Sequence, residues 1–240
     1  MTHWDNEAIR CGTDPTWDDH FMVEFEIKAI GQFISETDSV LDMGCGNGYS
    51  LELQKGYFKG GIDYSEKMIE QAKKREAYSL WFDTGDIRKI ASCDESFDVV
   101  YTTRCLINLP TWEDQMQGIK ECIRVASKRV IFCEAFYEPF IKLNALRTIA
   151  GLPPLVEHDF NRYIKKSRME ELLGKFTCVD FSSVYYLGSR FIRELTSIPD
   201  TSYSNEINEI FYDLQHIYPA EGFGIQQIYV YDKAAAIRDI

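Results

Sequence analysis

The sequence predicts an α/β fold in which helices cover both faces of a mostly parallel β-sheet. Between residues 39 and 135, short apolar strand patterns alternate with amphipathic helix patterns, and this alternation is typical of βαβ units with right-handed crossovers. A glycine-rich turn at residues 44–48 follows the first of these strands. Because glycine accepts positive φ angles and has no Cβ, such a turn lets a ligand approach the backbone and predicts a cofactor site.

The first part of the chain supplies most of the predicted parallel sheet. Residues 1–17 match neither the helix nor the strand pattern, whereas from residue 18 or 19 apolar residues recur on one face at helical spacing. Ser65 is expected to N-cap a later helix, and Thr111 has capping-box spacing to Asp114. The predicted strands of this part are residues 40–41, 57–62, 80–82, 97–102 and 129–134.

The regular alternation stops after residue 135. A helix is predicted over residues 140–149, and a Gly-Leu-Pro-Pro sequence ends it. Ser167 and Glu170 have capping-box spacing, and Gly174 ends the short helix that follows. The last predicted elements are a long strand at 176–187, a helix at 205–216 that places Ile207, Ile210, Phe211, Leu214 and Ile217 on one face, and a strand at 223–231.

Length and composition favour one globular domain. The chain has 240 residues, of which 45% are hydrophobic, and this is enough to bury a sizeable core. Within that domain we expect residues 1–35 to form an N-terminal cap segment and residues 136–166 to form an insertion over the active face. The chain contains no stretch near the roughly 18 apolar residues that a membrane helix needs, so we expect a cytoplasmic protein that does not bind membranes.

Charge and cysteine content narrow the expected partners. The net charge of −12 argues against nucleic acid as the main partner, because binding to its backbone depends on Lys and Arg. Seven scattered cysteines without a C-x-x-C pair suggest reduced thiols rather than disulfides or a zinc site. We therefore expect a small-molecule partner, no metal, and a monomer or homodimer.

A glycine turn followed by an acidic residue at the end of the second strand fits either a nicotinamide dinucleotide or S-adenosyl-L-methionine (SAM). Asp63 lies 19 residues after Gly44 (63 − 44), close to the spacing of about 20 for a carboxylate that binds ribose hydroxyls. The dinucleotide fingerprint G-x-G-x-x-G needs a third glycine where this chain has Tyr49. Asp42 would repel a pyrophosphate but suits the ammonium and sulfonium groups of SAM, so SAM is favoured.

Four sequence motifs then carry a family resemblance. VLDMGCGNG (40–48) resembles the first motif of class I SAM-dependent methyltransferases. GIDYSEKMI (61–69), GDI (85–87) and FDVVYTTRCLINL (97–109) resemble the next three motifs in the same order. The resemblance covers about residues 38–135. It implies a Rossmann-like, seven-stranded sheet whose last strand is antiparallel.

The same resemblance implies which residues bind the cofactor. Asp63 would hold the ribose, and Asp86 would accept a hydrogen bond from the adenine amino group. Asp42 would meet the ammonium group or orient the turn, with loop-amide binding as its structural alternative, and Asp86 could instead be a simple turn residue. The complete expected set is Asp42, Gly44, Cys45, Gly46, Gly48, Asp63, Tyr64, Met68, Asp86, Ile87, Thr103 and Arg104.

The expected acceptor site is the part of the active face near residues 134–163. His158 is the candidate catalytic base for methylation of a hydroxyl group, with a structural histidine as the alternative. Glu134 and Tyr137 are further catalytic candidates because they follow a strand, and ligands in such sheets bind outside the carboxyl ends of the strands. The expected acceptor-binding residues are Trp17, Arg147, Asn161 and Tyr163.

A second resemblance concerns the nature of the acceptor. WDNEA (4–8), CGTDP (11–15) and the run at 218–231 are similar to a bacterial methyltransferase group linked to surface polysaccharide or nucleotide-sugar pathways. This resemblance implies a small polar acceptor and O-methylation rather than N-methylation. A NAD-dependent oxidoreductase and a non-catalytic SAM-binding sensor or partner protein are the alternative functions.

Overall fold

The computed structural model describes residues 3–196, 206–218 and 220–233, which form one seven-stranded sheet with helices on both faces. The strands are β1 (Ser39–Met43), β2 (Phe58–Asp63), β3 (Leu80–Thr84), β4 (Phe97–Thr103), β5 (Ala126–Ala135), β6 (Thr177–Val179) and β7 (Gln226–Asp232). They lie side by side in the order β3-β2-β1-β4-β5-β7-β6. The first five strands are parallel, and β7 runs antiparallel between β5 and β6. The predicted fold class is therefore confirmed.

The helices connect the strands and close the sheet on both sides. They are α1 (His3–Cys11), α2 (His20–Gly31), α3 (Tyr49–Glu52), α4 (Glu66–Ala72), α5 (Trp112–Val125), α6 (Tyr137–Ile149), α7 (Lys166–Leu173), α8 (Ser183–Leu187), α9 (Arg193–Leu195) and α10 (Glu206–Ile217). The Ser65 and Thr111 side chains accept hydrogen bonds from the backbone N–H groups of Met68 and Asp114, which confirms both predicted caps. No helix in the described ranges has the length and apolar character needed to cross a bilayer.

Two hydrophobic clusters hold the sheet between its helices. Neighbouring residues of one strand point to opposite faces, so Leu41 and Val100 belong to one cluster while Val40 and Val99 belong to the other. Each fully buried side chain of this size contributes about 1.5–3 kcal/mol of transfer free energy. The central strands are thus buried on both faces, and their carboxyl ends form a rigid base for a site.

The segment before residue 18 differs from the prediction, because residues 3–11 form the helix α1. Only Ala8 of this helix is buried, so the burial of apolar side chains contributes little to its stability. Polar contacts hold it instead: Arg10 pairs with Glu7 one turn earlier, and the Ser65 hydroxyl donates to Asp5 at 2.8 Å. Tertiary contacts with α4 therefore stabilise a helix that its own pattern does not predict.

The long strand predicted at residues 176–187 is also wrong. Only Thr177–Val179 is a strand, and α8 begins at Ser183. The Asp180 carboxylate accepts hydrogen bonds from the backbone N–H groups of Ser182 and Ser183 at 3.3 and 3.1 Å, and from the Ser183 hydroxyl at 2.7 Å. Such side-chain bonds to the backbone favour a turn and a helix start over a continued strand.

The cap predicted at Ser167 is replaced by a contact from another element. The helix α7 begins at Lys166, so Ser167 lies inside its first turn. The Glu138 carboxylate accepts the Lys166 backbone N–H at 3.0 and 3.1 Å. The Glu138 carboxylate of α6 thus caps the start of this helix, as the Ser167 side chain was predicted to do. Gly174 ends the helix as predicted.

The helix predicted at 205–216 is present as α10, with residue 205 itself outside the described residues, but its predicted apolar face is correct only in part, because Phe211 packs against the core while two of its isoleucines do not. In α10, Asn208 is buried, while Ile210 and Ile217 are 54% and 63% exposed. The helix packs on α2 through aromatic rings, with the centroids of Tyr212 and Phe25 4.6 Å apart. This aromatic contact sets a different helix orientation from the one that the aliphatic residues predicted.

Candidate active site

The glycine turn lies at the carboxyl end of β1, where the sequence predicted a cofactor site. Gly44 and Gly46 have φ angles of 84° and 55°, and a Cβ on Gly44 would collide with the Cys105 side chain. The N–H groups of Gly44 and Cys45 both donate to the Ile62 carbonyl oxygen, at 2.7 and 3.1 Å. These bonds tie the turn to β2 and leave the glycine backbone open on its other side.

A cavity of about 400 Å³ opens over this turn, and we call it the cofactor cavity. Eleven of the twelve residues expected at the cofactor line it: Asp42, Gly44, Cys45, Gly46, Asp63, Tyr64, Met68, Asp86, Ile87, Thr103 and Arg104. The exception is Gly48, which N-caps α3 at a φ of 77°. A Cβ at Gly48 would lie 2.5 Å from the Phe82 ring, so a glycine is needed here for packing behind the turn, and the contact of Gly48 with the cofactor stays a prediction.

Asp63 joins the glycine turn to the start of α4. Its two carboxylate oxygens accept the backbone N–H groups of Gly46 and Ser65, each at 2.8 Å. Burial raises the pKa of Asp63, and these two backbone bonds oppose the rise. Each oxygen keeps a further lone pair, so the carboxylate can still accept ribose hydroxyl groups.

Asp42 provides the clearest test of whether the site fits SAM. Its side chain is only 2% exposed and lines the cofactor cavity. Within the described residues, its Oδ1 atom has no hydrogen-bond partner. Burial raises the pKa of Asp42 to about 8, with the Tyr101 hydroxyl acting in the opposite direction. A buried carboxyl oxygen without a partner is costly, and a cationic group such as the ammonium of SAM would compensate it.

The turn after β3 carries the residues that were predicted to bind the adenine. Asp86 lines the cavity, and its carboxylate also binds Arg88, whose Nη2 lies 2.7 Å from Oδ2. This pairing lowers the pKa of Asp86 and keeps it ionised. Tyr64 is 64% exposed at the cavity mouth, while Met68 is buried in the wall. The turn thus places an anchored carboxylate and an apolar side chain beside one part of the cavity.

A second cavity of about 620 Å³ lies next to the first, and we call it the acceptor cavity. Four of the residues expected at the acceptor line it: Trp17, His158, Asn161 and Tyr163. Four residues line both cavities: Trp4, Thr16, Arg104 and Asn108. The two cavities therefore meet at these residues, where a group could pass from one bound molecule to another.

Arg104 occupies this boundary in an unusual backbone conformation. Its φ of 51° is one of the few positive values for a non-glycine residue in the described chain. Its Nε atom lies 3.0 Å from Oε1 of Glu26, and its guanidinium carbon lies 4.5 Å from the centroid of the Trp17 ring. Sequence reasoning missed Glu26, although an acidic residue within the apolar pattern of α2 was a usable signal. Burial raises the pKa of Glu26 to about 6, and Arg104 opposes the rise.

Glu134 does not point toward the acceptor, so this prediction is wrong. The side chain is fully buried, lines neither cavity and accepts hydrogen bonds from the loop after β4. The donors are the Thr102 hydroxyl at 2.7 Å and the N–H groups of Cys105, Leu106 and Ile107 at 3.1, 3.0 and 3.4 Å. Burial raises the pKa of Glu134 to about 7 against these donors. Its role is to position the loop that carries Arg104 and Asn108.

Arg147 and Tyr137 also lie outside both cavities, which corrects two further predictions. Arg147 is 2% exposed and donates to the Pro153 and Arg190 carbonyl oxygens and to Glu194. It therefore cross-links α6 to α9. Tyr137 forms the first turn of α6, where Lys165 Nζ lies 5.5 Å from its ring centroid. Because α6 starts directly after β5, this ring lies against the start of α7 instead of in the acceptor cavity.

The N-terminal residues contribute contacts that sequence reasoning missed. Asn47, within the glycine turn, donates through its side chain to the carbonyl oxygens of Gly12 and Asp14 at 2.9 and 2.6 Å. These bonds hold residues 12–16 against the turn, and Trp4 and Thr16 then line both cavities. An Asn within a glycine turn was the only local signal for this contact, because its partners lie more than 30 residues away in the chain.

Comparisons with known proteins agree with this geometry. Residues 40–129 match the protein-family model described as "Methyltransferase domain". Over 97 residues, 37% of this chain and 34% of the relative, the chain is 33% identical to the 27-O-demethylrifamycin SV methyltransferase of Amycolatopsis mediterranei. Over 56 residues, 21% of this chain and 24% of the relative, it is 46% identical to the protein-lysine N-methyltransferase EFM4 of Saccharomyces cerevisiae. The chain spans less than half the length of the curated relatives it matches.

The fold is shared over a longer range than the sequence. A solved structure of a SAM-dependent methyltransferase from Thermotoga maritima covers 90% of this chain and 91% of its own length, with a TM-score of 0.60 and 18% sequence identity. The family match runs from β1 into β5 and includes the glycine turn, Asp63 and Asp86. Residues 40–129 therefore match the methyltransferase domain family, the chain has the fold of class I SAM-dependent methyltransferases, and the residues of the cofactor cavity fit SAM as the cofactor.

Proposed function

We propose that this protein transfers the methyl group of SAM to a hydroxyl group of a small polar acceptor, which is a sugar, a nucleotide-sugar or a phosphate-bearing metabolite. The observation that carries the proposal is the meeting of the cofactor and acceptor cavities at Trp4, Thr16, Arg104 and Asn108. Methyl transfer requires two bound molecules whose reacting atoms are in line. Such alignment contributes about 7–11 kcal/mol to lowering a barrier.

The walls of the acceptor cavity support a hydroxyl-rich acceptor. Aromatic side chains from α1, from the segment before α2 and from the insertion provide flat apolar surfaces that suit a sugar ring. Asn161 is 8% exposed, and its carboxamide oxygen has no partner within the described residues; the same holds for the carboxamide oxygen of Asn108. Two buried acceptors without partners favour a ligand that brings O–H donors.

The cap and the insertion belong to this proposal. Residues 1–35 act as the cap and supply His3, Trp4 and Trp17 to the acceptor cavity, while residues 136–166 act as the insertion and supply His158 and Tyr163. The two segments touch through ring contacts, with His3 and Phe160 centroids 4.3 Å apart. Together they cover the acceptor and exclude water from the reacting atoms.

His158 is the candidate general base. SAM supplies an activated methyl group on its sulfonium, so the chain needs only to orient the acceptor oxygen and remove its proton. A positioned base of this kind typically contributes about 10²- to 10⁴-fold to the rate. We expect His158→Ala to lower kcat while the Kd for SAM stays nearly constant. His216→Ala, on α10 and outside both cavities, is the control, and an unchanged kcat in His158→Ala contradicts the assignment.

Two measurements test the proposed function. Calorimetric titration with SAM, S-adenosylhomocysteine and NAD identifies the cofactor, and we expect binding of the first two only. A screen of nucleotide-sugars and phosphorylated sugars for release of S-adenosylhomocysteine identifies the acceptor class. Binding of NAD instead of SAM overturns the proposal in favour of an oxidoreductase. Tight SAM binding without turnover of any acceptor favours a non-catalytic SAM sensor.

A further inference from the structure

We propose that Arg104 and Arg190 form an anion receptor in the acceptor cavity, which binds a carboxylate or phosphate group of the methyl acceptor. The inference rests on the proposed function, because it describes one part of that acceptor. Both arginine residues line the acceptor cavity. Arg104 also borders the cofactor cavity, whereas Arg190 does not. The effect of Arg190 can therefore be measured separately from cofactor binding.

Each arginine is anchored by a buried carboxylate of the same helix. Arg104 Nε lies 3.0 Å from Glu26 Oε1, and Arg190 donates through Nη2 to Asp19 Oδ2. Asp19 N-caps α2, and Glu26 follows seven residues later (26 − 19), so both carboxylates lie on one face of the helix. At 1.5 Å per residue, roughly 10 Å separates the two anchors along the axis. One rigid element thus presents both arginines to one cavity.

An aromatic ring lies close to each of the two guanidinium groups. The guanidinium carbon of Arg104 lies 4.5 Å from the Trp17 centroid, and that of Arg190 lies 5.6 Å from the Tyr186 centroid. The Tyr186 hydroxyl in turn donates to Gln226 Oε1 at 2.9 Å, which holds its ring. A guanidinium group held between a carboxylate and an aromatic ring loses less conformational freedom when it binds an anion than a solvent-exposed one does.

Each guanidinium group keeps N–H donors for a ligand. Arginine has five such donors, and within the described residues Arg104 and Arg190 each use a single nitrogen on a carboxylate. Carboxylate and phosphate oxygens accept these donors in pairs. Arg10 shows the opposite case on the same wall, because its three nitrogens bind Glu7, Asp18 and the Thr16 carbonyl oxygen. All three nitrogens of Arg10 are therefore already engaged, and Arg10 is not part of the receptor.

The receptor acts through directed donors rather than through an excess of positive charge. The chain carries a net charge of −12, and Glu26 and Asp19 already compensate Arg104 and Arg190. The acidic groups that also face the cavity are Glu7 and Asp18, and Arg10 pairs with both. The hydroxyl groups of a neutral sugar can accept single hydrogen bonds from the remaining guanidinium donors, but they lack the charged oxygen pair that matches a guanidinium fork, so a neutral sugar should bind less tightly.

Calorimetric titration of the full chain in the presence of S-adenosylhomocysteine tests the receptor. The probes are glucose 1-phosphate, glucuronate, glucose and inorganic phosphate. We expect at least one of the two anionic sugars to bind tenfold or more tightly than glucose, and the comparison of those two sugars distinguishes a phosphate from a carboxylate. Equal binding of the anionic and neutral sugars overturns the proposal, as does an absence of binding by every anionic probe. Loss of S-adenosylhomocysteine binding instead counts against the proposed function.

Variants then assign the preference to Arg190. We expect Arg190→Gln to abolish the tenfold preference and to leave the affinity for S-adenosylhomocysteine unchanged, while Arg190→Lys recovers part of the preference. Because Arg190→Gln leaves the buried Asp19 carboxylate without its cationic partner, the double variant Asp19→Asn/Arg190→Gln serves where the single variant fails to fold. Arg168→Gln, exposed on α7, controls for the change in net charge. An anion preference that survives in a folded Arg190→Gln protein overturns the proposal.

Discussion

At the scale of single residues, the site depends on carboxyl groups that the fold buries for different purposes. Asp42 lines the cofactor cavity with an oxygen that has no partner in the described residues. Glu26 holds Arg104 at the boundary between the cavities, and Glu134 holds the loop that carries Arg104. Burial raises the pKa of all three groups. Their protonation therefore changes near neutral pH, where the site binds its ligands.

From the raised pKa of Asp42 we predict that cofactor binding depends on pH. Burial raises the pKa of Asp42 to about 8, and the ammonium group of a bound cofactor would lower it. Binding then releases a proton, so the Kd for S-adenosylhomocysteine should fall severalfold between pH 6.5 and pH 8. Calorimetry across this range measures the effect. The variant Asp42→Asn should remove this pH dependence. The control variant Asp83→Asn, at an exposed position of β3, should retain it. If the Kd of the unmodified protein does not vary with pH, Asp42 does not bind the ammonium group.

From the hydrogen bonds of Glu134 we predict that removing this buried carboxylate lowers the free energy of unfolding substantially. Glu134→Ala leaves the N–H groups of Cys105, Leu106 and Ile107 without their acceptor. Each unpaired buried donor costs about 1–3 kcal/mol, so the free energy of unfolding should fall by roughly 3 kcal/mol or more. Urea denaturation measures this change. Glu134→Gln keeps one acceptor oxygen and should cost less, and a loss below about 1 kcal/mol in Glu134→Ala would show that the loop finds other partners.

At the scale of elements, the active face is assembled from segments that the sheet itself does not fix. The glycine turn and the loop after β4 follow strand ends directly, and backbone bonds to neighbouring strands hold them. The helix α1 and residues 12–16 are held by side chains instead, through Asn47 and Ser65. The N-terminal segment is therefore the element whose position depends most on a few polar contacts.

From the contacts of Asn47 we predict that this side chain holds the N-terminal segment over the cofactor cavity. Asn47→Ala removes two hydrogen bonds, to Gly12 and Asp14, each worth about 0.5–1.5 kcal/mol. We expect faster hydrogen exchange over residues 3–16 and a several-fold higher Kd for S-adenosylhomocysteine. Asn6→Ala, an exposed Asn on α1, is the matched control. Unchanged exchange in Asn47→Ala would mean that other contacts hold the segment.

At the scale of the whole molecule, the buried carboxyl groups set how stability varies with pH. The native pKa values of Glu26, Glu134 and Asp42 are raised to about 6, 7 and 8. The native state therefore binds more protons than the unfolded state between about pH 4.5 and pH 8, and the free energy of unfolding falls as pH rises through this range. Carboxyl groups with lowered pKa values, such as Asp86 and Glu121, lose their contribution only in more acidic solution.

This balance predicts greater stability at pH 5.5 than at pH 8. Urea denaturation at the two pH values measures the difference. Burial lowers the pKa of His20, so His20 makes the free energy of unfolding rise with pH. This single group is outweighed by the three carboxyl groups whose pKa values are raised. Glu26→Gln should make the pH dependence weaker. A free energy of unfolding that rises between pH 5.5 and pH 8 would show that these carboxyl groups are not protonated in the native protein.

How far the sequence predicts the site depends on the distance between the partners. The cofactor residues Gly44, Asp63 and Asp86 lie at the ends of consecutive strands, so a local motif and strand order were enough to bring them together. The acceptor wall joins Asp19 to Arg190 across 171 positions. No local spacing encodes such a contact, and the predictions for Glu134, Tyr137 and Arg147 failed because packing turned these side chains away from the cavities.

The sequence by itself determined the sheet, the glycine turn and the cofactor, because strand periodicity, capping residues and glycine placement act within short stretches of chain. Only the tertiary structure decided what surrounds the acceptor. The fold buries Glu26 and Asp19 beside Arg104 and Arg190, so these carboxylates anchor the two arginines. Polar contacts with other segments stabilise the helix at residues 3–11. The physical reason is that the free energy of a buried charge depends on the partners that the whole fold brings to it.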